Sequence, residues 1–452
     1  MQSLNRDELV KAIKENLWPH YAFQKEIREK GPKVLVKGEG ALLWDMEGKE
    51  YIDGHSILWV VNVGHGRKEI IDAMAEQANK IAYASLFGGY SNEPAGILAK
   101  KLADITPGDL WVSFLVSGGS EAVEVAIKIA RQYQILKGYP QRFKVIARKE
   151  SYHGATLGAL SCTGLRVYRT SFEPLLPGFV HVPPPYCYRC EFNLEYPACD
   201  LQCVKSIEET ILWEGPKTVA CVIAEPVMSA AGALVPPPEY FPRLRQICDQ
   251  YGVLLIVDEV LNGFGRTGKF FAIERYGVTP DIMTLAKAMS GGYAPIGAAV
   301  CRKEISDAFE EYMMMHGITY GGNPVSCTAA LKNIEILERE NLAERSEKMG
   351  EELKKLLDPL KKHPMVGDIR GIGLHFAIEY VLDKKTKARI PSDQRVAARV
   401  EELCWNKGLY LCRASVDKTY IAPPLIVTYE QLQKIVEILD QSIAEVEKEI
   451  FS

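Results

Sequence analysis

The run Leu254-Leu-Ile-Val-Asp258, preceded by Val219-Ala-Cys-Val-Ile-Ala-Glu225 and followed by Ile282-Met-Thr-Leu-Ala-Lys287, decides how this chain is read. Each is a short apolar stretch closed by one ionisable residue. Apolar runs of this length without polar alternation mark strands buried on both faces. Val145–Ala147 is a further run of the kind, and helical patterns separate them from about Asn62 to Cys301. That alternation predicts an α/β fold with a large, mostly parallel sheet covered by helices on both sides. Ligands of such sheets bind beyond the carboxyl ends of the strands. Glu225, Asp258 and Lys287 would therefore share one rim. One such charge alone reads as a strand emerging into solvent. Three in succession, the last followed by Ser290-Gly-Gly292, predict a site.

Working outward, Val34–Val36 and Ala41–Trp44 flank Lys37-Gly-Glu-Gly40 as strand, turn, strand, and Asp45–Gly48 turns the chain again before Tyr51–Asp53. Beyond Gly322, Ser326–Glu340 and Ala343–Leu360 predict long amphipathic helices, Gly373–Val381 a strand, and Tyr429–Lys448 a last helix. The expected organisation is an N-terminal segment 1–60 belonging to a small domain, a large domain 61–325, and a C-terminal part 326–452 completing the small α+β domain.

With 452 residues the chain can bury a large core without disulfides or metals. Apolar residues at 47% and charged residues at 25% suit a soluble protein, and a net charge of −4 gives no reason to expect nucleic acid or an anionic membrane as partner. No apolar run is long enough to span a bilayer, and Met1–Glu15 is a charged helical pattern without a signal core. Eleven scattered cysteines, among them Cys162, Cys221, Cys248, Cys301 and Cys327 in apolar surroundings, predict a reduced, cytoplasmic protein.

The residue types on the rim suit amine transfer through pyridoxal phosphate. That chemistry needs a lysine to hold the cofactor as a Schiff base and to move a proton, and a carboxylate beside the pyridine nitrogen. The phosphate needs backbone N–H groups at a helix start. Ser117-Gly118-Gly119-Ser120 supplies these ahead of the helical pattern Glu121–Arg131, with Ser120 expected to cap the helix. Tyr152, in Ser151-Tyr-His-Gly154 after the run Val145–Ala147, reads by itself as a half-buried aromatic and, with the other parts, as a ring that could stack on the cofactor; beside it His153 reads as a hydrogen-bonded structural residue.

Taken together these segments resemble the class III aminotransferases of the fold-type-I pyridoxal phosphate enzymes. The motifs are Ser117–Val123, Ser151–Gly154, Glu225-Pro226, Val257–Val260, Gly263–Gly268, Leu285–Lys287 and Thr319–Pro324, spread over nearly the whole chain. The resemblance implies that Lys287 carries the cofactor and acts as acid and base, and that Asp258 pairs with the ring nitrogen. Tyr152 and Val260 would sandwich the ring, Gly118, Gly119 and Ser120 would hold the phosphate, and Glu225 would belong to the cofactor site. It implies further that Thr319 reaches the cofactor of a neighbouring subunit, making the protein a homodimer or a dimer of dimers with shared sites.

Departures from the family pattern address the substrate. Members acting on ornithine or 4-aminobutyrate carry a glutamate where this chain has Ala230 and an arginine where it has Tyr420. Arg413 and Trp59 instead resemble residues of the ω-transaminases, in which a mobile arginine grips a substrate carboxylate or swings away. Trp59, Phe87, Tyr152 and Arg413 are the expected substrate contacts. The expected activity transfers an amino group from an ω-amine or ω-amino acid to a keto acid, pyruvate above all. A racemase, epimerase or aminomutase on the same scaffold, and a catalytically silent binding protein, are the rival readings.

Two further motifs have more than one reading. Gly263–Lys269 satisfies glycine-rich nucleotide patterns, but Phe270 stands where magnesium would need Ser or Thr. Cys187, Cys190, Cys199 and Cys203 have a spacing that would suit zinc, a disulfide pair, or free cysteines packing a loop.

Overall fold

The computed structural model describes residues 4–412 and 415–451. Three strands come first: β1 (Leu35–Glu39), β2 (Leu42–Asp45) and β3 (Glu50–Asp53). Seven follow: β4 (Leu110–Val116), β5 (Lys144–Arg148), β6 (Phe179–Val182), β7 (Val219–Ala224), β8 (Leu254–Asp258), β9 (Ile282–Leu285) and β10 (Gly297–Arg302). The last four are β11 (Val366–Gly371), β12 (Phe376–Tyr380), β13 (Leu409–Tyr410) and β14 (Lys418–Ile421).

The large sheet has the order β4-β10-β9-β8-β7-β5-β6. β10 is antiparallel to β4 and β9; the other neighbours are parallel. Successive side chains point to opposite faces of a strand, so the apolar runs feed two cores. Leu255, Val257, Met283 and Val222 face one, with Leu98, Phe241 and Leu244 of covering helices. Leu254, Ile256, Ile282 and Ile223 face the other, against Val123, Ala126 and Ile127 of the helix Gly119–Leu136. Burying one such side chain is worth roughly 1.5–3 kcal/mol, which is why these strands tolerate no polar alternation. Ile256→Ala would cost about 2–5 kcal/mol.

Helix ends follow local chemistry. Asn323 caps Pro324–Arg339 by accepting from the N–H groups of Val325 and Ser326, with proline at the first turn. Gly252 in the left-handed region ends Tyr240–Tyr251.

Both ends of the chain meet in one small sheet, β1-β2-β3-β13, where β13 lies parallel to β3 with Leu409 opposite Ile52 and Tyr410 opposite Asp53. An antiparallel sheet, β11-β12-β14, stands beside it. β11 was not expected: Val366-Gly-Asp-Ile-Arg-Gly371 mixes glycine and charge and presents no apolar run. The strand expected over 373–381 shortens to Phe376–Tyr380.

Candidate active site

β7, β8 and β9 are adjacent and parallel, so the residues at their carboxyl ends converge. Glu225 follows β7, Asp258 closes β8, and Lys287 comes two residues after β9. All three line one cavity of about 390 Å³, together with Ser117–Ser120, Tyr152, His153, Val260 and Ala230. Its size falls in the range of small-molecule and cofactor sites.

Asp258 is 4% exposed. One carboxylate oxygen lies 2.7 Å from Nδ1 of His153; the other accepts from Thr284 Oγ1 and the Val260 N–H, both at 3.0 Å. These partners come from the loop after β5, from β9 and from the chain beyond Asp258, so three segments fix its orientation. Glu225 accepts from the Tyr152 N–H at 3.2 Å and from Nη2 of the buried Arg148 at 3.1 Å. His153 Nε2 is buried without a hydrogen-bond partner, 3.9 Å from a Glu225 oxygen.

Lys287 sits in the left-handed region with φ 44°, an uncommon conformation for a residue with a side chain. Burial pushes its pKa down, against Asp258 and Glu225, which pull it up. Strained backbone of this kind clusters at functional sites.

β4 feeds the turn Ser117–Gly118 and the helix Gly119–Leu136, whose first N–H groups have no intrahelical acceptor. A Cβ on Gly119 would stand 2.7 Å from Val260 Cγ1, and one on Gly154 2.6 Å from Ser120 Oγ, so glycine is required for the wall to close this tightly. The expectation that Ser120 caps the helix is corrected. Gly118 occupies the cap position without a side-chain bond, Glu121 takes the Ser117 N–H, and the Ser120 hydroxyl accepts from the Ala155 N–H at 3.0 Å.

The other expected residues fall in different places. Trp59 does not line the cavity. It lies behind Leu261, 5% exposed, with its indole 3.3 Å from His375 Nδ1 and its ring against Tyr420 and His55. Its neighbour Val60 lines the cavity instead. Phe87, 51% exposed, lies near Gly317, and the exposed Thr319 accepts from the Tyr83 hydroxyl through its carbonyl; neither lines the cavity of its own chain. Arg413 lies outside the described residues. Arg266 is fully buried, donating to Leu374 O, Pro423 O, Ser56 and Asn62, and the glycine-rich segment leads into the short 3-10 helix Ala272–Tyr276 instead of the α-helix a nucleotide loop would need.

Cys187, Cys190, Cys199 and Cys203 line one small cleft with Pro184, Phe192 and Pro237. Among the described residues, however, no three His, Cys, Asp or Glu side chains are placed to hold a metal. Burial, aided by Cys187 and Cys199, pushes Cys203 up to about 12, and Cys187 is raised by burial too. The four are free thiols.

Several site residues were not singled out from sequence. Thr284 and Arg148 are the partners of Asp258 and Glu225. Tyr168 and Tyr21 extend an aromatic chain from Tyr152, with ring centroids 5.5 and 5.1 Å apart in edge-to-face contact. The only available signal was position: Arg148 and Thr284 lie at or near the ends of the strands that carry the site.

The residues present fit pyridoxal phosphate. They offer a buried amine, a carboxylate held in place by three donors, a helix start for the phosphate, and a glycine wall that a Cβ would fill.

Comparison with known proteins agrees. The family model for class-III aminotransferases matches residues 25–443. A putrescine–pyruvate aminotransferase of Pseudomonas aeruginosa is 36% identical, covering 98% of this chain and 97% of that protein. A taurine–pyruvate aminotransferase of Bilophila wadsworthia is 38% identical, covering 98% of each. The crystal structure of an (S)-enantioselective ω-transaminase from Thermomicrobium roseum matches with TM-score 0.94 at 40% identity, covering both chains completely. The fold, the cavity at the strand ends and these matches together place the chain in the class III aminotransferases, pyridoxal-phosphate-dependent enzymes of fold type I.

Proposed function

We propose that the protein is an ω-transaminase, moving the amino group of an ω-amine or ω-amino acid to a keto acid, with pyruvate as acceptor. The observation that carries this reading is the meeting of Lys287, Asp258 and Glu225 with the Gly118–Ser120 helix start in one cavity. The substrate class is supported by the relatives named for putrescine or taurine with pyruvate.

Bound pyridoxal phosphate supplies the electron sink for a carbon that loses and regains a proton. Lys287 holds it and carries that proton; burial lowers its pKa, so more of the released amine is unprotonated near neutral pH than in a free lysine. Asp258 serves the ring nitrogen, kept in place by His153, Thr284 and the Val260 N–H. Glu225, anchored by Arg148, would complete the cofactor site from the neighbouring strand end. Gly118, Gly119 and Ser120 receive the phosphate, and Tyr152 and Val260 are the ring-facing residues. Arg413 and Trp59 are assigned to the substrate side, Trp59 by backing the wall formed by Leu261.

The same reading makes Thr319 and Phe87 contributors to a neighbouring subunit's cavity, in a homodimer or a dimer of dimers. Tyr83, Phe87, Tyr90, Met313, Met315 and Tyr320 are all exposed, an apolar surface that a partner would cover. The proposed division is 1–60, 61–325 and 326–452, and the pairing of β13 with β3 supports joining the first and last of these in one small domain. A reduced cytoplasmic setting is in keeping with eleven free thiols.

The test is a donor panel of taurine, β-alanine, putrescine and 1-phenylethylamine with pyruvate. One alanine formed per amine consumed supports the reading. Turnover without keto acid would point to a racemase or aminomutase, and no turnover with cofactor bound to a silent binder. Lys287→Ala should abolish transfer to pyruvate and the covalent attachment of the cofactor that borohydride reduction fixes in the parent.

A further inference from the structure

The loop Ser229–Leu234 forms the part of the cavity wall that departs from the ornithine-type pattern, since Ser229 and Ala230 line the cavity. It is a tight turn closed by reciprocal hydrogen bonds between Met228 and Leu234, with φ 108° at Gly232 and 51° at Ala233. The Ser229 hydroxyl ties the start of the turn to Asn262 Oδ1 at 3.1 Å. The stretch from Ala230 to Gly232 is held from elsewhere in the chain.

Arg370, on β11, donates through Nε to the Gly232 carbonyl at 2.6 Å. A Cβ on Gly232 would lie 2.4 Å from Arg370 Nη2, so the guanidinium packs directly on the turn. Tyr420 donates its hydroxyl to the Ala230 carbonyl at 2.6 Å from the same side. The remaining Arg370 nitrogens are taken by Asp368 and Glu379, both at 2.8 Å, and its guanidinium carbon stands 4.9 Å over the Tyr186 ring. Glu379 is fully buried and accepts in addition from the Tyr186 hydroxyl and Arg189 Nε. Tyr186 and Arg189 flank Cys187 in the cysteine-rich insertion, and Tyr186 packs with Met228, Ala231 and Leu234 as one buried cluster.

We propose that Arg370 is a positioning residue for substrate selection: locked by Glu379 and by Tyr186 and Arg189 of the cysteine-rich insertion, it sets the Ala230 wall. The inference rests on the transaminase reading and adds to it a control lying outside the cavity. A buried ion cluster is poor evidence for stability, because desolvation offsets the attraction, but it fixes one geometry. Arg370 has a bidentate-capable fork and three acceptors around it, which a lysine could not satisfy together.

The test uses the cofactor-loaded enzyme and the variants Arg370→Met, Arg370→Lys, Glu379→Gln and Tyr186→Phe. Two quantities are read: the ratio of kcat/KM for 1-phenylethylamine to that for β-alanine, and hydrogen exchange of peptides covering 226–236. A released wall should shift the donor ratio towards the bulkier amine by about fivefold or more in Arg370→Met and Glu379→Gln, since small displacements at a binding wall cost tens-fold in rate. Arg370→Lys should recover part of the shift, and Tyr186→Phe should show a smaller one. Amides of 226–236 should exchange faster while those of β8 do not. A donor ratio within twofold of the parent in these variants overturns the proposal, whatever happens to melting temperature. If the arginine and glutamate variants fail to fold, Tyr186→Phe, which removes one hydroxyl, decides on the same two readouts. A parent enzyme that transfers no amine overturns the functional reading itself, and is seen before any variant is made.

Discussion

His153 Nδ1 lies 2.7 Å from Asp258 Oδ2, with both side chains buried and with β7 between the strands that carry them. The ring nitrogen facing a carboxylate must be the protonated one, so the histidine acts as a fixed donor. His153→Ala should lower kcat per cofactor-loaded site about 10–100-fold, the scale of a misplaced reacting group. His153→Gln, which keeps a donor, should recover part of it. Thr284→Val should cost less, because Asp258 Oδ1 keeps the Val260 N–H, whereas removing the imidazole strips Oδ2 of its donor. Single-turnover rates on loaded enzyme distinguish this from simple destabilisation, which would lower the melting temperature and leave the rate per loaded site intact.

Gly119→Ala places a methyl 2.7 Å from Val260 Cγ1. Val260 belongs to the segment that donates to Asp258, so the strain is transmitted to the site. Overpacking of this kind costs about 1–3 kcal/mol, and cofactor affinity should fall by about tenfold or more. Titration of the cofactor-free protein, followed by visible absorption, checks it.

Lys287 in the folded chain is pushed below the usual lysine value by burial, with Asp258 and Glu225 opposing. The unfolded chain therefore binds more protons at this position, and the cofactor-free protein carries a stability cost near neutral pH. That cost fades as pH rises towards the lysine value of 10.5. Cofactor-free Lys287→Met should melt higher than cofactor-free parent near pH 7, and the gap should narrow with rising pH. A gap that widens would contradict the assigned direction.

Glu259 is the neighbour of Asp258 but faces away from the cavity. Burial raises its pKa to about 8, against the N–H groups of Ile273 and Ala272. Its folded value exceeds the unfolded one, so its stabilising contribution is complete below about 4.5 and is lost as pH rises through about 8. Glu259→Gln keeps an acceptor for Ile273 and removes the titration. Relative to this variant the parent should lose melting temperature between about pH 5 and pH 8 and change little above.

The strand ends were legible because an uninterrupted apolar run has one use in a soluble α/β fold, and the charge that closes it marks the rim. The partners of those charges were not. His153 and Asp258 are 105 positions apart, and only the order β8-β7-β5 brings them together. Arg148 closes β5 and is fully buried against Glu225, and no local pattern marks it as that partner. Trp59 was read as a cavity residue from its motif, but positive φ at Ser56, Ile57 and Trp59 turns the indole towards His375 and Tyr420. The cysteine quartet has metal spacing in sequence, while in the fold its members line a cleft packed by proline and tyrosine.

The pairing of β13 with β3 bears on how the enzyme is made. Tyr410 lies opposite Asp53, and Asp53 holds the N–H groups of His55 and Ile57 at the start of the segment that delivers Val60 to the cavity. During synthesis this support is missing until residues 409–410 have left the ribosome. At about 5–20 residues per second that wait lasts some tens of seconds, during which the earlier strands must remain soluble with one wall of the cavity absent. Capture of the cofactor by a complete site is therefore an event of the finished chain, and substitutions in β13, far from the chemistry, should show themselves first as a lower yield of loaded enzyme.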